Sequence, residues 1–117
     1  MSSGDTRTLI EQAVRGLVAE VPALGSLKLV VKLELPARGA GAPVWRVEMP
    51  GPKVTRDPAG DSRVDVSVPR SHFNELAADG RLRHWVDAYD HGHVRVSGDP
   101  AVTKLIGNVI QRQLARA

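Results

Sequence analysis

Residues 92–114 constrain the fold more than any other part of the sequence. Val94 and Val96 alternate with polar residues there, which is the two-residue period of a half-buried strand. The alternation ends at Gly98, and a run with a different period follows directly. This stretch therefore predicts a strand that leads straight into a helix.

The helix has a clear predicted start. Asp99 offers a carboxylate that can cap the first free N–H groups, and Pro100 suits the first helical position because no N–H is needed there. Apolar residues then recur every three or four positions and form one stripe. The stripe consists of Val102, Leu105, Ile106, Val109, Ile110 and Leu114.

A second long helix is predicted near the start of the chain, over residues 6–20. Its apolar residues repeat with a helical period, so one face must be buried. Asp5 or Thr8 can cap it, and Thr8 with Glu11 has the spacing of a capping box. Pro22 forces the preceding residue out of helical geometry and ends the helix.

Between these helices the sequence predicts strands and two short helices. Alternating segments put their apolar residues on one face, so the sheet faces water on one side, and tight turns predict antiparallel pairing. The predicted strands are residues 26–35, 44–49 and 63–68, with 53–56 a short strand at best. Ser71 is predicted to cap a short helix that ends at Gly80, and residues 82–89 form another.

Length and composition indicate one soluble domain, over residues 1–117, of which residues 1–4 are expected to be flexible. The 117 residues can bury one core but not two. There is no cysteine, which excludes disulfides and thiolate chemistry. No apolar run approaches the roughly 18 residues that cross a bilayer, and residues 1–7 do not resemble a secretory signal, so the expected location is cytoplasmic.

The charge pattern bears on partners. The net charge is +3, but basic and acidic residues are interspersed and aromatic residues make up only 3%. Binding of nucleic acid is therefore not expected, because that surface needs clustered cations and stacking rings. The alternative partner is an anionic membrane, contacted transiently. The cations that would make this contact are Arg81, Arg83, Lys104, Arg112 and Arg116.

Several segments, in this order, resemble the sterol carrier protein family, also called non-specific lipid-transfer proteins. The matching segments are Trp45-Arg-Val47, Val64-Asp65-Val66-Ser-Val68, Phe73 with Leu76, Gly80-Arg-Leu82 through Ala88, and Gly92-His-Val-Arg-Val-Ser-Gly98-Asp99. The likeness extends from Leu27 to Leu114. Two features depart from the family: the chain has a single Phe, and its last residues are not a peroxisomal address.

The resemblance implies an α+β fold, with a mostly antiparallel sheet of about five strands and helices packed on one face. It also implies an apolar tunnel between the layers that receives a sterol, fatty acid or acyl-CoA, with no catalysis and no cofactor. The expected lining residues are Leu29, Val31, Leu33, Trp45, Val47, Val66, Trp85, Val94, Val96, Leu105, Val109 and Ile110. An empty cavity of about 300 Å³ would cost roughly 7 kcal/mol, so the tunnel should be either occupied or collapsed.

Two polar clusters and one glycine each have a simpler interpretation beside a functional one. A cluster of His84, His91, His93, Asp87 and Asp90 has metal-ligand residue types, but it falls at a helix-to-strand turn, where turn chemistry is the favoured interpretation. A triad with Ser71 and His72 lacks a nucleophile elbow. Gly107, inside the last helix, permits close packing or opens a gap for a ligand, and close packing is favoured.

Two function classes remain beside the metal or hydrolytic site. The first is a lipid-binding or lipid-carrier domain that performs no catalysis. The second is a solid-cored accessory or oligomerisation module that uses the same architecture to bind a protein partner or a second copy of the chain. A row of Val and Leu residues cannot separate the two, because it has the same pattern whether it lines a cavity or fills a core.

Overall fold

The computed structural model describes residues 3–37, 44–49, 51–56, 60–79 and 81–116, with only the backbone described for residues 3–5 and 79. Most of the segment between the first two predicted strands, where a Gly-, Ala- and Pro-rich loop is expected at 36–43, and the predicted helix stop at Gly80 therefore lie outside the described residues. Ser3 and Gly4, expected to be flexible, are helical in the structure.

In the described ranges, four α-helices and a five-stranded sheet make up the fold. The helices are α1 (Ser3–Glu20), α2 (Arg70–Asp79), α3 (Leu82–Asp90) and α4 (Pro100–Arg116), and a short 3-10 helix covers Pro22–Ser26. The strands are β1 (Leu29–Glu34), β2 (Val44–Met49), β3 (Lys53–Thr55), β4 (Val64–Ser67) and β5 (Arg95–Gly98). Among the described helices, none is long and apolar enough to cross a membrane.

The sheet has the order β3-β2-β1-β4-β5 and contains one parallel pair. The pairs β1–β2 and β2–β3 are antiparallel, as predicted for consecutive strands, whereas β3 and β4 also follow one another and do not pair. The pair β4–β5, whose strands are separated by α2 and α3, is antiparallel as well. β4 instead lies parallel to β1, with Val31 opposite Val64 and Leu33 opposite Val66. This pairing satisfies the second edge of β1, whose backbone groups would otherwise lack partners. The predicted α+β class with a mostly antiparallel sheet is confirmed.

The helices cover one face of this sheet. Buried side chains of α1, α2 and the inner sheet face form the main core, and a smaller cluster joins the 3-10 helix to the start of α3 and to α4. Polar contacts tie the helices together: Nη2 of Arg70 donates to Oγ1 of Thr6 at 2.9 Å, and the backbone N–H of Leu82 donates to Oε1 of Glu20 at 2.9 Å.

Of the helix caps predicted from the sequence, the one at the start of α4 is confirmed and those at the starts of α1 and α2 are not. The cap at Asp99 is confirmed, because its Oδ1 accepts from the backbone N–H of Ala101 at 2.9 Å. The caps proposed at Asp5 or Thr8 and at Ser71 are wrong, because α1 begins at Ser3 and α2 at Arg70, which places all three residues inside helices. Residues 26–28 are not part of β1 either, because the 3-10 helix extends from Pro22 to Ser26 and β1 begins only at Leu29.

Candidate functional site

An apolar cavity of about 590 Å³ lies between the inner face of the sheet and the helices. Every strand but β3 contributes to its wall, because alternate residues of each strand point toward the helical layer. The helices supply the opposite wall. The cavity is thus formed by the two layers that the sequence predicts.

Nine of the twelve residues expected to line a tunnel border this cavity. They are Leu29, Val31, Leu33, Val47, Val66, Trp85, Val94, Val96 and Ile110. Seven of them are β-sheet residues or lie next to a strand, where the period of two assigns a face, and the other two, Trp85 and Ile110, are helical.

The remaining three predicted residues do not border the cavity. Trp45 is buried in the core, with the guanidinium of Arg56 5.0 Å from its ring centre. Leu105 is 46% exposed on the outer side of α4, and Val109 packs against the smaller cluster. A helical stripe is wider than the face that meets a cavity, so its margins fall outside.

The expected lining set omitted a helical contribution from α1 and α2. Ile10, Ala13, Val14 and Leu17 of α1 border the cavity, and so does Phe73 of α2. The signal was present in the sequence, because the α1 residues recur at helical spacing on the face that had to be buried. The remaining apolar residues of the wall are Leu24, Met49, Val64, Leu82, Val86 and Ile106.

The polar residues of the cavity wall come from two elements, α3 and α4, and most of them are exposed. Asp90 and the aromatic Tyr89 lie at the end of α3, and Thr103, Lys104 and Gln111 lie in α4. Tyr89 is 55% exposed and Val96 is 39% exposed, although both border the cavity. Among the described residues of α4, no side chain is fully buried. The cavity therefore opens to solvent between α3, β5 and α4.

Gly107 borders this opening. A Cβ added at Gly107 would have no atom within 4 Å apart from its own helix backbone and its chain neighbours. Close helix packing, the interpretation favoured from the sequence, is therefore wrong, and the residue leaves a gap beside the cavity.

The histidine cluster has the local contacts of a turn. Nδ1 of His84 accepts from the backbone N–H of Arg81 at 3.0 Å, and Nδ1 of His91 donates to the carbonyl of Asp87 at 2.6 Å. The ring of His72 stacks on that of His93, with centroids 4.0 Å apart. No group of three potential metal ligands forms within the described part of the chain.

The perturbed titrating groups lie on the other face of the sheet. Arg46 in β2 donates to both carboxylate oxygens of Asp61, at 3.1 and 2.8 Å, and to Glu48 at 3.0 Å. These hydrogen bonds from Arg46 lower the pKa of the Asp61 carboxyl and raise that of the guanidinium. Trp45 and Val47, on either side of Arg46, point inward, so this network is part of the outer surface and not of the cavity.

Comparison with solved structures identifies the fold. Sterol carrier protein 2-like 2 from Aedes aegypti, solved in palmitated form, is 21% identical, covers 86% of this chain and 93% of its own, and has a TM-score of 0.58. Sterol carrier protein 2 from Yarrowia lipolytica, in its apo form, is 16% identical over 85% of this chain and 92% of its own, with a TM-score of 0.56.

A third solved structure with this fold is named for a role in biosynthesis. The ubiquinone synthesis protein UbiJ-SCP2 is 17% identical, covers 94% of this chain and 93% of its own, and has a TM-score of 0.54. No family model matches the sequence, and no curated protein matches it. The agreement in layers, sheet and coverage shows that this chain has the sterol carrier protein fold.

Proposed function

We propose that this protein is a non-catalytic carrier that binds a lipid in the cavity between sheet and helices. The observation that carries the proposal is the cavity itself. Its volume of about 590 Å³ lies within the range of roughly 300–1,000 Å³ that is typical of small-molecule sites. Its wall is apolar except at the open end, which suits a ligand with a long hydrocarbon part.

The expected affinity follows from burial of that hydrocarbon. Each buried CH₂ group contributes about 0.8 kcal/mol, so ten of them would contribute about 8 kcal/mol. Part of this is offset by the loss of ligand and side-chain freedom on binding. A dissociation constant in the micromolar range or somewhat weaker is therefore expected for a single acyl chain.

Two further observations support the proposal. One neighbour with the same fold, sterol carrier protein 2-like 2 from Aedes aegypti, was solved in palmitated form. In this chain, the nine expected lining residues that border the cavity are those proposed to contact the ligand. Contact with an anionic membrane remains a prediction; its five cations are all exposed.

The first test is the chemical content of the native protein. Mass spectrometry of an organic extract of the purified protein is expected to detect a bound lipid. Titration of the delipidated protein with a fluorescent fatty acid and a fluorescent sterol should then measure affinity for each class. Absence of a bound lipid, together with no affinity for either probe, would contradict the carrier function.

A pair of adjacent substitutions tests the location of the site. Val31 and Val30 are neighbours in β1 and both are half-buried, but only Val31 borders the cavity. V31F should fill part of the cavity and weaken lipid binding at least severalfold, whereas V30F, on the opposite face, should leave binding unchanged. The unfolding midpoint of both variants shows that each is folded. Equal affinities in the two variants would place the site elsewhere.

The accessory-module alternative makes a different prediction. It assumed a solid core, whereas the described residues enclose a cavity. The ubiquinone synthesis protein UbiJ-SCP2 nevertheless shows that the fold also occurs in a protein named for a biosynthetic role. Light scattering that finds a mass rising with concentration, in a protein that binds no lipid, would favour the alternative.

A further inference from the structure

The polar side chains at the opening of the cavity come from α3 and α4. Lys104 and Gln111 of α4 border the opening, and Tyr89 and Asp90 of α3 border it from the other side. The part of the wall formed by α1, α2 and the middle of the sheet carries apolar side chains only. A ligand in this cavity would therefore meet hydrocarbon along its length and polar groups at one end.

We propose that Lys104 positions the anionic head group of a single-chain lipid at the opening and that Asp90 opposes it. The inference rests on the proposed carrier function and adds two elements to it: the direction in which the ligand lies and the charge of its head group. The shared chemistry is a carboxylate or a phosphate at the end of an alkyl chain.

Lys104 is suited to this role because its ammonium group is exposed and uncommitted. No carboxylate oxygen in the described part of the chain lies within 4.0 Å of Nζ. Thr103 is a weaker candidate donor, because its hydroxyl already donates to the carbonyl of Pro100 at 3.1 Å. A flexible lysine can follow a mobile head group, since its three donors need no fixed orientation.

The spacing along α4 leaves room for a head group. Gly107 follows Lys104 by three residues and precedes Gln111 by four, so the three positions lie on one side of the helix. Nothing occupies the position of a Cβ at Gly107. The two long polar side chains therefore flank a gap that an alkyl chain can pass through.

The opposite direction, with the head group deep in the cavity, is strongly unfavourable. Among the described residues, α1, α2 and the inner sheet face contribute no charged side chain to the wall, and beside Phe73 lies the indole of Trp85, whose N–H is a neutral donor. A charged carboxylate without a partner there would lose its hydration without compensation. The head group therefore belongs at the open end, within reach of solvent and Lys104.

Asp90 gives the proposal a signed test. Its carboxylate borders the same opening, so it repels an anionic head group that Lys104 attracts. Neutralising Lys104 should weaken binding of an anionic lipid, and neutralising Asp90 should strengthen it. A purely structural role for either residue would not produce opposite effects that depend on ligand charge.

The experiment compares K104Q and D90N with the wild-type protein. Dissociation constants are measured for palmitate, monohexadecyl phosphate and 1-hexadecanol, which share a chain length and differ in the head group. For an exposed charge pair we expect K104Q to weaken binding of the anionic ligands roughly two- to fivefold and D90N to strengthen it by a similar factor. Binding of hexadecanol should change in neither variant.

R112Q is the matched control. Arg112 is exposed on the same helix and carries the same charge, but it does not border the cavity. R112Q should therefore leave all three affinities unchanged. A stronger response of palmitate than of the phosphate ester to K104Q would identify the carboxylate as the preferred head group, and the reverse would identify the phosphate.

The outcomes separate this inference from the carrier function. Equal loss of palmitate and hexadecanol binding in K104Q, or no loss of either, would overturn the role of Lys104 while leaving lipid binding intact. An effect of R112Q as large as that of K104Q would overturn it too, by showing a general response to net charge. If the wild-type protein binds none of the three ligands, the carrier function itself fails.

Discussion

The two walls of the cavity differ in how firmly their side chains are held. On the wall formed by the sheet, α1 and α2, Ile10, Val47 and Phe73 are 1–3% exposed. On the wall formed by α4, the described side chains are all partly or fully exposed. One wall is a close-packed core, and the other is a helix that rests on the edge of that core.

This difference follows from what each helix has to cover. The apolar stripe of α1 meets the inner sheet face directly, so its burial contributes to the main core. The stripe of α4 is divided between a small cluster around Val21, Leu24 and Leu82 and the cavity, and Ile106 and Ile110 belong to both. The first wall therefore determines the fold. The wall formed by α4 has no buried residue among those described. In the proposed function, a bound alkyl chain supplies the contacts that α4 lacks.

Substitution of Phe73 is the largest test of this comparison. F73A should destabilise the protein by about 3–5 kcal/mol, because a buried aromatic ring is removed and its edge-to-face contact with Trp85, at 6.2 Å between ring centres, is lost. I110A, which removes a half-buried side chain from the α4 wall, should cost less, about 1–2 kcal/mol. Urea unfolding of both variants measures the difference, and similar losses would show that the two walls are equally packed.

Gly98 tests how closely the sheet is packed at its edge. Its φ of +128° disfavours any residue with a side chain, and an added Cβ would contact the carbonyl oxygen of Arg63 and lie 3.0 Å from Cα of Val64. G98A should therefore cost about 1–3 kcal/mol from backbone strain, with the close contact adding to it. Thermal unfolding compared with the wild-type protein is the measurement, and an unchanged midpoint would show that β5 can move away from β4.

The sequence was most informative about the wall formed by the sheet, α1 and α2. Strands β2 and β4 of this wall depend on the local two-residue period and were predicted from the residues themselves. The cap at Asp99 was predicted in the same way, although it begins α4 on the other wall. The order of strands was less accessible. Pairing of β4 with β1 joins segments about thirty residues apart, and nothing in either segment distinguishes a parallel neighbour from an antiparallel one.

The wall formed by α4 was harder to predict. Leu105 and Val109 belong to the same stripe as Ile110, and only the position of α4 over the cavity decides which of them reaches it. The same applies to Gly107, because a glycine inside a helix is compatible with tight packing and with a gap. Such questions depend on the distance between two walls, which is a property of the assembled layers and not of any one segment.

Gly107 also provides the smallest and most direct test of the comparison. Since no atom lies near the position of its Cβ, alanine fits there without a clash and removes the conformational freedom of glycine. G107A should therefore stabilise the protein by about 1 kcal/mol, as expected for Gly to Ala inside an exposed helix. Gly16 of α1 is the matched control, because it too is an exposed helical glycine with open space at its Cβ. Urea unfolding of G107A and G16A should give similar gains, whereas a loss of stability in G107A alone would mean that α4 packs closely at this position and that the cavity has no gap there.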